Sequence, residues 1–388
     1  MNVHYLDGSL APSATELAKT ASLQASFADT GIGELAGEAN PIYMALLEGL
    51  RTYQNEWSVL PQISLGNSPV EVGDQGTEVA NLFQRLGLAP ASDGRFNDTL
   101  AKKIAEFQEI HGLPVTGMAD AATIAALNRG SAHYEAIIRA NLERARRISA
   151  KTDGKFVLVN TAAADLIAFE EGQPALRMKV ALGSTDRPTV ALADRIETIV
   201  VNPPWNLPPH LVQSMIAPEV VREGIGYLEE NGYVVLSDWS DDAVAADPAS
   251  VDWQAVSEGK AFARVRQNPG ATNPMGRAKF MFPNHLGIYL HDTPARDVFA
   301  RSARYVSNGC VRLERADDLA NFLSSSDLVF GDAEQPTRRV VLAQPVPVFI
   351  MHFTFWAEGK TLSFHNDVYH KDQPLLDAVQ IEGMPGIS

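Results

Sequence analysis

The 388-residue chain has a single cysteine, Cys310. That excludes an intramolecular disulfide and a multi-thiolate zinc site, and leaves the thiol as either a small buried hydrophobe or a reactive group. Basic residues are also in short supply: 32 Lys and Arg stand against 47 Asp and Glu, a net charge of −15. Such a balance argues against nucleic acid and against anionic lipid as partners. No run of about 18 apolar residues occurs, so no transmembrane segment is expected. The opening MNVHYLDGSLAPSATELAKT has no basic stretch followed by an apolar core, as an export signal would. Common motifs are missing too. Gly224-Ile225-Gly226 meets Glu229 where a dinucleotide fingerprint needs Gly, Gly359-Lys360-Thr361 has Thr354 where a phosphate loop needs its first Gly, and neither His-Glu-x-x-His nor Gly-x-Ser-x-Gly occurs. His365 and His370 have no further soft ligands beside them, so a structural metal there is not expected.

What is present is an ordinary globular composition, 45% hydrophobic and 20% charged, long enough for about two to four domains. The first 40 residues are rich in Ala, Ser and Gly. Asn40-Pro41 then opens a helical pattern with apolar residues at 43, 46, 47, 50 and 53, Asn40 serving as N-cap and Pro41 as the first helical residue. Residues 131–150 read as a linking helix with Tyr134, Ile137, Ile138, Leu142, Ala145 and Ile148 on one stripe, and with Arg139, Arg144, Arg146 and Arg147 facing water. Near residue 155 the period changes. Short β-rich runs follow at 156–160, 166–169, 178–183 and 196–201, separated by Gly, Asp and Pro. From 203 to 270 they give way to an irregular insertion beginning Pro-Pro-Trp-Asn-Leu-Pro-Pro, with a helix predicted near 217–223; a segment of this kind suits a lid or binding loop. Its aromatic residues Trp205, Tyr233, Trp239 and Trp253 suit a small core better than a substrate surface.

Between 70 and 130 the spacing implies a compact three-helix module. Asp93-Gly94-Arg95-Phe96 and Thr116-Gly117-Met118-Ala119-Asp120 echo one another as turns, with an Asp near each helix start and Ile104, Phe107 and Leu127 turned to a small core. Gly73-Asp74-Gln75-Gly76-Thr77-Glu78-Val79, Leu82-Phe83-Gln84-Arg85-Leu86, the Asp-Gly-Arg-Phe turn, Phe107-Gln108 and Gly112-Leu113 resemble the peptidoglycan-binding domain 1 family. The segment is read either as a ligand-binding module or as a helical spacer.

Chemistry concentrates between residues 283 and 313. The stretch from Leu286 alternates as a strand, which puts Tyr289 and His291 on one face before Asp292-Thr293-Pro294 stops it. Ser307-Asn308-Gly309 is a turn that presents Cys310, and Asp317 to Leu323 read as the helix that follows. A thiol near a helix N-terminus has its pKa lowered by the dipole and by orphan N–H groups that can also hold an oxyanion. His291 is a candidate base if strand and turn are adjacent; His285, in the turn before the strand, competes for that role.

These residues resemble the L,D-transpeptidase catalytic domain, the YkuD-like family, and within it the longer YcbB-like branch. The carriers are Ile288-Tyr289-Leu290-His291-Asp292-Thr293-Pro294, Ser307-Asn308-Gly309-Cys310-Val311-Arg312, Asn273-Pro274-Met275-Gly276-Arg277 with Lys279-Phe280, Asn202-Pro203-Pro204-Trp205-Asn206-Leu207-Pro208-Pro209, and Gln344-Pro345-Val346-Pro347-Val348. Many family members have His before Gly-Cys. Here Asn308 stands in that place, which throws the base role onto His291. The resemblance implies an α+β multidomain protein: a helical scaffold at 1–69, a peptidoglycan-binding module at 70–130, a linking helix at 131–154, a mostly β catalytic domain at 155–340 with a cap at about 203–270, and C-terminal strands and tail at 341–388. It further implies acyl transfer on peptidoglycan stem peptides without a cofactor or metal, with Cys310 as nucleophile, His291 as base, and the Cys310 N–H with Gly309 as oxyanion donors. Tyr289, Arg312, Asn308, Ser307 and Trp205 are the candidates for substrate contact, Arg312 through a carboxylate unless it is tied locally to Glu314 or Asp317. Peptidoglycan stem peptides and glycan would be the partners, and the address periplasmic with the signal removed. Two other outcomes stay open: an L,D-carboxypeptidase or endopeptidase using the same site, and a non-catalytic wall-binding protein.

Overall fold

The computed structural model describes residues 4–5, 40–148, 154–240, 242–284, 287–324, 328 and 336–381. His285, and nearly all of the first 39 residues, lie outside them. The chain divides into two compact units; one holds 155–159 and 164–349, the other 5–154, 160–163 and 350–388.

In the helical unit, Asn40 caps the helix Pro41–Tyr53 through its side chain, which accepts from the Tyr43 N–H, and Pro41 takes the first turn, where it forfeits no hydrogen bond. Asn97 caps Asp98–Ile110 and Asp120 caps Ala121–Ala145 in the same manner. At Gly130, with φ 76°, this long helix kinks between the module and the linking segment, a backbone conformation that favours glycine. Gln108, fully buried, holds the module's second turn: its amide donates to the Met118 carbonyl and to the Thr116 and Thr123 hydroxyls, while its oxygen accepts from the Thr116 and Gly117 N–H groups. One expectation fails here. Arg144 does not face water; it is buried and ion-paired with Asp372 at 2.6 Å, a partner 228 residues away. Residues 350–381 belong to this unit, with the strands Phe355–Glu358 and Thr361–Phe364 paired antiparallel and Phe364 stacked on His111.

The β unit is built on one sheet in which Leu192–Val201, Arg338–Met351, Phe156–Asn160, Asp165–Glu170, Gln173–Gly183, Val311–Leu313, Leu290–His291 and Ala278–Met281 lie side by side. Ala278–Met281 pairs back onto Leu192–Val201, so this path closes on itself. Closure removes free edges and fixes each strand's neighbours on both sides. Alternation sends Phe280, Leu290, Val311 and Leu313 to full burial on one face. Their neighbours in sequence point the other way, where the chemistry lies.

The 203–270 insertion is a folded body, not an irregular loop. Trp205–Asn206, Arg264–Gln267 and Tyr233–Leu236 form a three-stranded sheet, and the helices Ala217–Glu223 and Trp253–Ser257 contribute Val220, Trp253 and Val256 to a separate core with Val212, Val235 and Val265. Trp205 packs against this core, as composition suggested, although the resemblance had also made it a candidate for substrate contact. Tyr233 and Trp253 do as their composition suggested, while Trp239 is exposed with the Arg264 guanidinium over its ring.

Candidate active site

Register assembles the site. His291 pairs with Arg312 on one neighbouring strand and with Lys279 on the other, so the three side chains share a face. Tyr289 precedes His291 by two residues and Cys310 precedes Arg312 by two, and alternation brings both to that same face. The Tyr289 carbonyl accepts from the Val311 N–H, which locks the two segments together at the height of the thiol.

Cys310 is half-buried, and its sulfur hydrogen-bonds the Tyr289 backbone N–H and the Tyr289 phenol. Burial pushes the thiol's pKa up; the two Tyr289 contacts and the charges of Lys279 and Arg312 oppose that rise. The expectation of a thiol pKa lowered by a helix dipole therefore fails in direction and in cause. Cys310 leads into the short strand Val311–Leu313, and the next helix starts only at Ala316, beyond the reach of a terminal dipole. The Tyr289 phenol is held well above its ordinary range by burial and by the sulfur beside it.

His291 is 2% exposed. Its Nδ1 lies 2.5 Å from the Asp292 carbonyl, which makes Nδ1 the protonated nitrogen and leaves Nε2 as the bare, basic one. Burial, then the Arg312 charge, bring its pKa down to about 3, against the support of the Asp292 and Pro274 carbonyls. Asp292 is itself anchored: its carboxylate accepts from Arg296 at 2.6 Å and from the Arg277 N–H at 2.8 Å. Gly276 makes that anchoring fit. Its φ of 59° is one that side chains rarely adopt, and an added Cβ would collide with the Asp292 carboxylate. Asn273 closes the same turn, accepting from the Met275 N–H and donating to the Pro203 and Asn268 carbonyls. The Asn-Pro-Met-Gly-Arg motif thus supports the imidazole from behind.

The turn before Cys310 is held from within. Ser307 Oγ donates to the Cys310 carbonyl at 2.6 Å and accepts from the Gly309 N–H at 3.1 Å. The Gly309 N–H is therefore occupied and is no oxyanion donor in this state, whereas the Cys310 N–H has no acceptor among the described residues. Ser307 is buried and serves the turn, not the substrate. Asn308 is exposed, and its side-chain oxygen accepts from Arg187 at 2.7 Å; the same guanidinium reaches His210 of the cap at 3.5 Å. Arg312 pairs with neither Glu314 nor Asp317. Asp317 takes Arg277 and Glu314 takes the Lys179 N–H, so the Arg312 Nε is buried without an acceptor.

Three residues to which the sequence reading assigned no role in the chemistry belong to the site. Arg187 carried no local signal, and Asp292 stood only as part of a motif and a strand stop. Lys279 carried a signal: a lone Lys in Ala-Lys-Phe-Met must point opposite the buried Phe280. Its ammonium lies 3.6 Å from the Tyr289 ring centroid, and burial brings its pKa down to about 8 despite the attraction of Cys310. Among the described residues no group of three or more His, Cys, Asp or Glu could hold a metal ion.

A half-buried thiol, a tautomer-fixed histidine and a phenol on one sheet face are the parts that a thiol acyltransferase or hydrolase site needs. Comparison with known proteins narrows the class. Residues 154–342 match the YkuD family, the L,D-transpeptidase catalytic domain, and residues 73–127 match the family described as "Putative peptidoglycan binding domain". Models of these two families thus match separate segments of the chain. It is 32% identical over 243 residues to a Haemophilus influenzae protein named "Putative L,D-transpeptidase", covering 61% of this chain and 48% of that protein. The chain thus spans about half the length of this curated relative. Solved structures similar to it include an L,D-transpeptidase from Mycobacterium smegmatis (12% identity, 51% of this chain and 58% of that one, TM-score 0.25). Another is an L,D-transpeptidase from Stackebrandtia nassauensis (16% identity, 74% and 97%, TM-score 0.25). Scores this low carry no argument about the site.

Proposed function

We propose that this chain forms peptidoglycan cross-links by cysteine acyl transfer. The observation that carries the reading is the convergence of Cys310, Tyr289 and His291 on one face of a strand pair in a YkuD-type domain. The Cys310 thiolate attacks the carbonyl of the third residue of a tetrapeptide stem. The tetrahedral intermediate places its oxyanion at the Cys310 N–H, and collapse expels D-alanine to leave a thioester. His291 Nε2 takes the thiol proton and delivers it to the leaving amine. It then accepts the proton of the second stem's amine as that amine resolves the thioester. Tyr289 donates its phenol hydrogen to the sulfur and so stabilises the thiolate. The 203–270 body is a cap that slows water relative to the acceptor amine, favouring cross-linking over hydrolysis.

The 73–127 domain makes peptidoglycan the natural partner, and the place of action is the compartment where that polymer lies, the periplasm in a cell with two membranes. No helix among the described residues is long and apolar enough to cross a membrane. The test is product analysis by mass spectrometry after incubation with a tetrapeptide muropeptide, with and without an acceptor stem. Cross-linked dimer with loss of one alanine supports the reading. Tripeptide alone, even with excess acceptor, would make the chain an L,D-carboxypeptidase.

A further inference from the structure

The site row contains two cations and no carboxylate. Lys279 and Arg312 flank His291 in register, each about 4.8 Å away at the level of the strands, on the same face. Neither pairs with a carboxylate among the described residues, and the nearby acids are committed elsewhere: Asp317 to Arg277, Asp292 to Arg296, Glu314 to the Lys179 N–H. A half-buried, unpaired ammonium carries a desolvation cost and suits a place where negative charge will appear. Lys279 lies over the Tyr289 ring, and the Tyr289 phenol touches the Cys310 sulfur. The groups facing Cys310 are thus Lys279, Tyr289 and Arg312, with His291 beside them in the row. Arg339, from the strand Arg338–Met351, adds a further positive charge toward Lys279.

We propose that Lys279, acting with Arg312, biases the protonation of Cys310 and His291, drawing the sulfur toward the thiolate against its burial while opposing an imidazolium. This rests on the reading of Cys310 as the nucleophile, and it makes Lys279 a positioning residue. The S–H bond breaks as the sulfur attacks the carbonyl, and its proton passes through His291 to the departing amine, so that the ring is neutral again in the thioester. The neutral ring is then free to take the proton of the acceptor amine when the thioester is resolved. Like charges on both sides oppose an imidazolium, and the same two charges favour the thiolate. The depressed pKa of His291, due to burial first and then to Arg312 and Lys279, agrees with this.

Because Cys310 is the only cysteine, alkylation of the full chain by iodoacetamide reports this thiol alone. The rate is measured against pH for wild type, Lys279→Met and Lys279→Arg, with far-UV circular dichroism to establish folding. The expected result is a midpoint about one pH unit higher in Lys279→Met, hence about tenfold slower alkylation below the midpoint, with recovery in Lys279→Arg. An unchanged midpoint in folded Lys279→Met overturns the proposal. The wild type supplies a second measurement should Lys279→Met fail to fold. In ¹⁵N spectra of the histidine ring nitrogens, His291 stays neutral as the thiolate forms; an imidazolium at the thiol's midpoint overturns the proposal. A Lys279-dependent midpoint in a chain that transfers no acyl group would sink the proposed function and leave the role of Lys279 standing.

Discussion

The helical unit and the β unit both bury charge, but they treat it differently. In the helical unit Arg144 donates to Asp372 at 2.6 Å and to the Lys371 carbonyl at 2.7 Å; Thr354 donates to the same carboxylate, and Asn141 bonds Thr354 through both its amide nitrogen and its oxygen. His111, a buried neutral imidazole, is satisfied by the Phe107 carbonyl at 2.7 Å and the Tyr53 hydroxyl at 3.2 Å. In the β unit the row Lys279–His291–Arg312 buries its imidazole fully and its two cations in part, yet among the described residues those cations lack counter-ions, the Arg312 Nε lacks an acceptor, and the Cys310 N–H has none. A closed network spends its polar groups on itself and specifies structure. An open one keeps them for a charge that arrives with substrate.

That contrast predicts opposite phenotypes. The largest effect is expected at the open site: His291→Gln lowers the acyl-transfer rate by about 10²- to 10⁴-fold while leaving thermal unfolding nearly unchanged, as kinetics and calorimetry on the same preparation would establish. The closed network should behave in reverse. Asp372→Ala leaves Arg144 buried without its partner and costs the helical unit about 3–5 kcal/mol, seen by denaturant unfolding, with the rate per folded molecule unaltered. A rate that falls in proportion would erase the distinction. Gly276→Ala stands between the two, since it disturbs the turn that anchors Asp292: about 1–3 kcal/mol of destabilisation and a measurable loss of rate are expected together.

Acid compares the two histidines directly. His111 and His291 are each brought down to about 3, both by burial first. Below the unfolded value of about 6.5 the unfolded chain binds protons that the folded chain refuses, so stability is full above that pH and is lost as pH falls toward 3. Each histidine contributes a slope of up to about 1.4 kcal/mol per pH unit. His111→Gln should flatten the loss in the helical unit and leave the catalytic pH profile in place. The smallest effect is assigned to Arg187→Ala. Its contacts with Asn308 and His210 are exposed, so at most about 1 kcal/mol and a few-fold change in KM are expected from steady-state assays.

Where local pattern determines structure, the sequence was legible. The β-rich run at 156–160 is the observed strand, the helix at 217–223 has the expected bounds, and Asn40-Pro41 caps as its residue types require. The pairing of Tyr289 with His291 on one face followed from alternation alone. What escaped depends on partners distant in the chain. Arg144 falls outside the apolar stripe that holds Leu142, and only a chain reversal brings Asp372 to it. Three residues of strand, Val311–Leu313, are too few to announce themselves, so Cys310 was assigned to a helix terminus that lies further on. Trp205 was placed at the substrate because a motif contained it, whereas the insertion has a core of its own to fill. Lys279 was readable as a lone outward charge, but register alone makes it a neighbour of His291.

The central claim is that Cys310 is an acylable nucleophile. Intact mass after incubation with a carbapenem tests it most directly, on wild type and on Cys310→Ala. One covalent adduct on the wild type and none on the variant is the predicted result; folded wild type that remains unmodified would contradict the account and leave wall binding as the function.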